Sequence, residues 1–455
     1  MKIFRKIDCL FIFLILAFAL LYGTVIFNDS LWGDEAYTML TLKNSFSEIL
    51  KITARDVHPP LYYFIAKIFT LFFGYSVPVV KLASIVPLIL TMFFVWTKSK
   101  KIFGKQANLI SLFFILLTGL CPATFSMAVE LRMYTWAMFF VTTCGIYAYE
   151  LYRNPQSTRY FYLFILFGVL SAYTHYYAFL TVCFIYLFLI ITLLKRNKKD
   201  WKLCVSFSVI SFLAYLPWIP LIFLQFSVQI TSWWATVFNM DTILGIITFL
   251  FAGNFSNLFL LLFATIFIGF LHHLRKKQAD EESYLALLAI LPLLFTVLLG
   301  ILFSLLVRPV FVARYMYPAS GLFFLGFSIL ICKRNQQNLF TYLTLGLLLI
   351  NLPFSYASLF HQEYENGTEN FKQFAKDTFH NAPITTTVKH LAWSVLPYYC
   401  PENEVTFEVS SEIRGYLISA ADPNLLRTLL KDATLTELYR GNIDNNYVFA
   451  VYYVE

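Results

Sequence analysis

Charge is what this sequence has least of. Only 13% of its 455 residues are Asp, Glu, Lys or Arg, where a soluble domain carries about 25%. With 59% hydrophobic and 19% aromatic residues, that shortage excludes a soluble globule. Cysteine provides no framework either. Cys9, Cys121, Cys144, Cys183, Cys204 and Cys332 lie in or beside apolar runs and Cys400 stands alone in a polar tail, so neither a disulfide pattern nor a metal-ligand spacing emerges. No internal repeat is visible. A net charge of +8 would point a soluble protein toward nucleic acid, but here Lys and Arg fall in short clusters between apolar runs, which is an orientation signal, so no nucleic-acid partner is expected.

What is abundant is apolar text. Runs of about 20 residues, the length that crosses a hydrocarbon core, recur from residue 9 to residue 357. The first, after the basic start at 2–6, is longer than the h-region of a secretory signal and reads as a retained span. Basic clusters at 2–6, 98–105, 153–159, 195–202, 275–277 and 333–334 belong in the cytoplasm by the positive-inside rule, so an even number of crossings must separate each from the next. Residues 7–97 hold three apolar runs, 9–28, 60–73 and 77–96, which is odd. The middle run is short and bounded by Pro59-Pro60 and Gly74, so it is expected on the outer surface as an interfacial or re-entrant helix; 242–252 is a second such candidate. Pairs of spans follow at 106–124 and 134–151, 160–176 and 178–194, 203–223 and 255–273, and 283–306 and 318–332, with a last span at 338–357. The expectation is an all-α polytopic membrane protein of about eleven transmembrane helices plus outer-face juxtamembrane helices. The N-terminus is cytoplasmic, and residues 1–357 form the membrane domain. Residues 358–455 mix helix-like text (370–379, 424–432) with strand-like text (385–388, 405–409, 447–454), predicting a small extracytoplasmic α/β domain.

This topology collects a chemical inventory on the outer face. A charge at the bilayer centre costs roughly 3 kcal/mol or more, so ionisable residues at span ends without an orienting role invite a functional reading. In Leu31-Trp32-Gly33-Asp34-Glu35-Ala36-Tyr37 the plain reading makes Asp34 an N-cap, worth about 1 kcal/mol, and Glu35 a solvated first-turn acid; the opposed arginines favour chemistry. Glu130 and Arg132, two apart, would point roughly 200° apart on a helix and not pair. Arg132 is either snorkelling to headgroups or a phosphate ligand, since guanidinium offers a planar fork to an oxyanion. His175, among Tyr173, Tyr176 and Tyr177, is either a hydrogen-bonded structural residue or a donor to phosphate. Arg314 opens its span from the outside, against the usual charge preference there, and is more informative than Arg308. His58, Tyr62 and Tyr63 suit a turn and interfacial anchors, Trp233-Trp234 an interface, and Lys67 and Lys81 can snorkel.

Taken together, Asp34-Glu35 in the first outer loop, His58-Pro59-Pro60-Leu61-Tyr62-Tyr63, Glu130-x-Arg132-Met133-Tyr134, Thr174-His175-Tyr176 and Ala313-Arg314-Tyr315 resemble the lipid-carrier-dependent glycosyltransferases of the GT-C superfamily, in the protein O-mannosyltransferase and aminoarabinose-transferase-like branch. The resemblance covers about residues 1–330; His-Pro-Pro-Leu-Tyr-Tyr is its most specific piece, and the tail shares only the property of being a variable soluble end. It implies a polyprenyl-phosphate sugar donor, transfer outside the cytoplasm with inversion at the anomeric carbon, and an acceptor that is an envelope glycan, lipid or protein. It also implies roles: Asp34 takes or orients the acceptor proton with Glu35 beside it, Arg132 and Arg314 hold the leaving phosphate, His175 and Tyr176 complete that pocket, His58 and Tyr62 shape its mouth, and Tyr134 closes the motif of Arg132. Some relatives bind a divalent metal through an acid and a His; no obligatory metal or other cofactor is expected here, and a bacterial plasma membrane is the expected location. Two rivals stand beside this reading. A polysaccharide polymerase or ligase would carry its key groups in a large late loop, and a flippase or transporter would show broken spans and related halves.

Overall fold

The computed structural model describes residues 6–229, 239–251, 256–276, 280–307, 309–333, 338–410, 412–430, 433–444 and 447–455. Lys2, Arg5, Trp233, Trp234, Lys277, Arg308 and Arg334 lie outside them. The chain opens with α1 (Lys6–Gly23), then three short helices, α2 (Gly33–Leu42), α3 (Phe46–Arg55) and α4 (Leu61–Phe73), before the long α5 (Val77–Ile102). Next come α6 (Ala107–Leu120), α7 (Pro122–Met127), α8 (Tyr134–Arg153), α9 (Thr158–Thr174), α10 (Tyr176–Arg196), α11 (Trp201–Tyr215), α12 (Ile219–Gln229), α13 (Met240–Thr248), α14 (Ser256–Lys276), α15 (Glu281–Leu306), α16 (Ser320–Lys333) and α17 (Asn338–Tyr364). Each of the eleven apolar runs expected to cross falls on a helix. Among the described residues six helical stretches are long and apolar enough to span by themselves, and a seventh if the pair flanking residues 252–255 is one broken span; the remaining runs sit on shorter or less apolar helices. The chain is a multi-span, mostly helical membrane protein.

The short run that parity placed on a surface is α4. Its thirteen residues reach about 20 Å at 1.5 Å per residue, short of a hydrocarbon core of about 30 Å. One side buries Tyr62, Tyr63, Ala66 and Thr70, while Ile68, Leu71, Phe72 and Phe73 are exposed. Lys67 does not snorkel: its Nζ donates to the Leu42 carbonyl at 2.7 Å, closing the open end of α2.

The basic clusters meet one another. Lys100 pairs with Asp8 at 2.6 Å, Lys98 with Glu150 at 3.1 Å, and Arg153 with Glu281 at 3.1 Å. These residues lie at the C-terminal ends of α5 and α8 and the N-terminal ends of α1 and α15, so they gather at one end of the bundle. The opposite end, where α8 and α10 begin, holds Arg132, Tyr134 and His175. Through the middle runs α16, and the stretch from Tyr315 to Cys332 that includes most of it is buried throughout. Small residues let it in: a Cβ on Gly321 would meet Thr142 Oγ1 at 2.2 Å, and one on Gly326 would meet Ile290 Cγ1 at 2.5 Å, the close approach that helix packing without water favours.

The C-terminal part is a mixed sheet with helices on both faces. Strands β1 (Ile384–Thr386), β2 (Val405–Phe407), β3 (Gly415–Ser419), β4 (Leu435–Ile443) and β5 (Tyr447–Val454) stand in the order β2-β1-β3-β5-β4. The pairs of β1 with β2 and β3 are parallel, and those of β5 with β3 and β4 antiparallel. On one face α18 (Thr368–Thr378) and α19 (Leu396–Tyr399) pack against Ile418, Phe449 and Val451; on the other, α20 (Pro423–Leu429) packs against Leu417, Ala450 and Tyr452. The alternation of partners along β3 and β5 is the period-2 rule of a strand buried on both sides. Of the strands, β3 and β4 had no counterpart in the sequence reading.

Helix α17 runs past residue 357 to Tyr364, and near its end Glu363 binds Lys81 of α5, whose side chain is 1% exposed. Lys81 is therefore a buried partner and not a snorkelling residue. The Glu363 carboxylate and carbonyl also accept from Asn28, so the pair ties α5, α17 and the chain ahead of Asp34 into one knot. Removing one charge strands the other in a dry site, at a cost of about 3–5 kcal/mol, whereas apolar replacement of both is far cheaper. Lys81→Met and Glu363→Leu should each lower the melting temperature of the detergent-solubilised protein, and the double variant should recover most of the loss; additive losses would show that the two side chains act separately.

Candidate active site

Helix α2 begins with Trp32 as its extended N-cap, and the acid that reaches back is Glu35, whose Oε2 lies 3.4 Å from the Trp32 N–H. Its other oxygen accepts the Leu131 N–H at 2.9 Å. This overturns the plain sequence reading: Asp34 does not cap the helix, and Glu35 is buried and not solvated. Burial pushes the Glu35 carboxyl well above its ordinary range, against the opposing pull of Lys81. A buried acid stitching two loops is suited to holding structure. Asp34 is left with its carboxylate free to face the bundle.

What it faces is a pair of guanidiniums. Asp34 Oδ2 lies 3.3 Å from Arg314 Nη2 and 3.8 Å from Arg132 Nη2, and Arg132 Nη1 donates to the Asp34 carbonyl at 3.4 Å. Arg132 sits in the turn between α7 and α8 and is 2% exposed. Because residues 128–133 form a turn, the helical argument that separated Glu130 from Arg132 does not apply. Arg314 comes from the turn that enters α16, with its Cζ 4.8 Å from the Trp32 ring centroid, a cation–π seat.

A relay of polar groups orients Arg132. Asp56 Oδ2 is 3.4 Å from His58 Nδ1, and His58 Nε2 is 3.2 Å from Arg132 Nη2. Nδ1 also lies 3.3 Å from Arg132 Nη2, so the ring edge meets the guanidinium through both nitrogens. Burial and the charge of Arg132 hold the imidazole pKa below its usual value, so the ring is neutral. Tyr63 Oη takes Arg132 Nη1 at 3.2 Å. Neither Asp56 nor Tyr63 had been assigned a role, although Asp56 stands two residues before His58. Tyr62, which had been, is fully buried with its hydroxyl on no hydrogen-bond partner among the described residues; consecutive helix positions both buried give no sequence signal for which is which.

His175 ends α9 and caps α10, its Nδ1 accepting the Tyr177 N–H at 3.2 Å. Its ring centroid lies 6.0 Å from that of His58, 5.6 Å from Tyr134 and 5.2 Å from Tyr315. Burial, then the nearby His58, Arg132 and Arg314, holds it well below the usual range. It is a neutral ring whose remaining N–H can donate to an oxygen but which is a poor source of protons. Tyr176 goes elsewhere. Its hydroxyl binds Gln225 and receives Trp218 Nε1 at 3.1 Å, and Gln225 in turn donates to the Thr53 carbonyl at 2.9 Å. It fastens α10 to α12 and α3, so the structure does not bring it to the arginines.

Two buried donors beside this cluster, Arg132 Nε and Tyr134 Oη, have no hydrogen-bond partner among the described residues. An unsatisfied buried donor costs about 1–3 kcal/mol and calls for an explanation; an oxyanion between Arg132, Tyr134 and Arg314 supplies one. As for a metal, no group of three or more His, Cys, Asp and Glu among the described residues is arranged to hold one. Glu130 completes the electrostatics: burial pushes its carboxyl up to about 7, with Arg314 and Arg132 pulling the other way.

Residues 57–220, which include His58, Arg132, Tyr134 and His175, match the family model described as dolichyl-phosphate-mannose-protein mannosyltransferase. That match covers just over a third of the chain. The chain shares its fold with ArnT from Cupriavidus metallidurans. Against the apo crystal structure the TM-score is 0.65 at 11% identity over 97% of both chains. Against the one bound to undecaprenyl phosphate it is 0.58 at 12% identity over 97% of both. No curated protein matches it by sequence.

A carboxyl raised from 4.5 to about 7 favours the folded state fully below pH 4.5, and that advantage is lost as pH rises through 7, on the order of 3 kcal/mol in all. Glu130→Gln cannot ionise. The stability of wild type relative to Glu130→Gln should therefore fall between pH 4.5 and 7, read as diverging melting temperatures; parallel curves would mean that Glu130 does not titrate there.

Proposed function

We propose that the chain moves a sugar from a polyprenyl-phosphate donor to an acceptor hydroxyl on the outer face of the membrane, with inversion at the anomeric carbon. The observation that carries this is the Asp34 carboxylate set against Arg132 and Arg314, with 3.8 and 3.3 Å between the charged atoms, at the end of the bundle opposite the basic clusters. The family match supports a lipid-phosphate donor, and so does the undecaprenyl phosphate bound by ArnT. The orientation follows the positive-inside rule, with the basic end and N-terminus in the cytoplasm and the site and residues 358–455 outside; the bacterial plasma membrane rests on the family branch that the sequence resembles and on its compact loops. Residues 1–357 carry the catalysis.

In this reading the acceptor oxygen attacks C1 as the bond from C1 to the phosphate oxygen breaks. The acceptor proton passes to Asp34, and the negative charge that develops on the leaving phosphate falls to Arg132 and Arg314, with Tyr134 and the His175 N–H as further donors. Without donor, Asp34 pairs with Arg314; a phosphate competes for those guanidiniums and frees the carboxylate to act as base. His58 acts through Arg132, and Glu35 through the loop it stitches. Tyr62, fully buried on α4, and Tyr176 are left packing roles. The acceptor is an envelope glycan, a lipid or a protein. No metal is required, because the ring nitrogens of His58 already serve Asp56 and Arg132.

Purified protein in liposomes with crude envelope acceptor, offered labelled polyprenyl-phosphate sugars, should release sugar from one of them. Asp34→Asn should lower kcat by about 10²–10⁴ with donor binding kept, the range general-base removal gives. Arg314→Lys should raise the donor KM about tenfold, since an ammonium lacks the fork. Equal turnover by wild type and Asp34→Asn would remove Asp34 from the chemistry, and turnover without any lipid-linked donor would sink the donor assignment.

A further inference from the structure

The loop that presents Asp34 is gripped from the far end of the sequence. Tyr399 Oη receives the Leu31 N–H at 2.6 Å and lies 3.2 Å from the Leu31 carbonyl and 3.4 Å from that of Asp29. Ser30 Oγ is 2.6 Å from Thr368 Oγ1 and 3.3 Å from Asp444 Oδ1, and Thr368 Oγ1 accepts the Asp444 N–H at 2.9 Å. Lys372 pairs with Asp29. Tyr447, the first residue of β5, lays its hydroxyl on Gly33: a Cβ there would stand 2.4 Å from Tyr447 Oη and 3.5 Å from Ser394 Oγ. Asp29, Ser30, Leu31 and Gly33 are thus all held by side chains of the sheet domain, up to the residue before the carboxylate.

This grip exceeds what attachment needs. A domain serving only to recognise an acceptor could be joined to α17 and packed against any loop, yet here its contacts converge on the residues ahead of Asp34. Burial, with the Asp34 charge next in weight, pushes the Tyr447 hydroxyl up to about 12, so it stays protonated at neutral pH and keeps its hydrogen bonding. The absence of a side chain at Gly33 is what admits it.

We propose that the C-terminal domain completes the active site, with Tyr447 as a positioning residue whose hydroxyl, seated on Gly33, fixes where the Asp34 carboxylate stands. The proposal rests on the assignment of Asp34 as the base. A displacement of about 1 Å at a reacting group can cost on the order of 10²-fold in rate, so a contact one residue away from the carboxylate acts on turnover more than on donor binding.

The test uses the full-length protein in nanodiscs with the turnover assay above. Tyr447→Phe keeps the ring and removes the hydroxyl; it should lower kcat about tenfold with donor KM within about twofold of wild type. Gly33→Ala drives a methyl into the hydroxyl and should cost about as much or more. The double variant should be no slower than Tyr447→Phe alone, because the atom met at 2.4 Å is gone; side chains in contact are the ones whose effects fail to add. Full kcat in Tyr447→Phe, or losses that simply multiply in the double variant, would overturn the positioning role. If Asp34→Asn, run in parallel, keeps wild-type kcat, the base assignment fails by itself, whatever Tyr447 does. Circular dichroism and melting temperature of each variant separate a misfolded domain from a misplaced loop.

Discussion

One carboxylate between two guanidiniums sets the plan of this end of the bundle. Arg132 is buried and Arg314 largely so, with 2% and 21% of their side chains exposed, and both stand close to Asp34, so neither could be tolerated there without the groups that surround them. Asp56 and His58 anchor one, and Trp32 seats the other. Two positive charges side by side repel, and a protein keeps such a pair only where something negative answers it. Asp34 is the answer the chain carries itself. The elements responsible are far apart in sequence: the first helix after α1, the turn before α8, and the turn into α16. Their convergence accounts for why α16 must thread the centre of the bundle, with glycines at its contacts.

Neutral groups matter as much as charged ones. His58 and His175 are both held uncharged by burial and by the arginines, which keeps two more positive charges out of a crowded site and leaves imidazole nitrogens to orient and donate. Glu35, whose carboxyl burial pushes well above its ordinary range, joins the Asp34 loop to the Arg132 turn. In the proposed reaction the base is Asp34, and Glu35, turned to the Leu131 N–H, does not compete with it.

Much of this was legible in advance, and the failures have physical reasons. Apolar length and basic clusters gave the helices and the surface position of α4, since both depend only on local composition. Span by span the count is less direct: α8 carries Glu150, and α6 is short, so neither looks like a spanning helix except in context. Which of two adjacent acids caps α2 was misread because the N-cap is Trp32, extended but without a capping side chain, and Glu35 reaches back from the third position. The choice of Tyr62 over Tyr63, and the inclusion of Tyr176, failed because adjacent residues at a helix start diverge by about 100°, and only packing decides which one turns inward. Strand β4 is largely exposed along its length, so the alternation that betrays a strand is faint; Tyr447 sits at the start of β5, where nothing in its sequence neighbourhood hints at Gly33.

Helix α4 has a consequence of its own. Its exposed flank is Ile68, Leu71, Phe72 and Phe73, while its buried flank carries Tyr63 against Arg132, and its head follows directly on His58. A short helix that is apolar on its exposed flank and carries Tyr63 on its buried one joins an apolar surface of the molecule to the Arg132 guanidinium through a single rigid element. Whatever touches that apolar flank stands one helix away from the buried guanidinium.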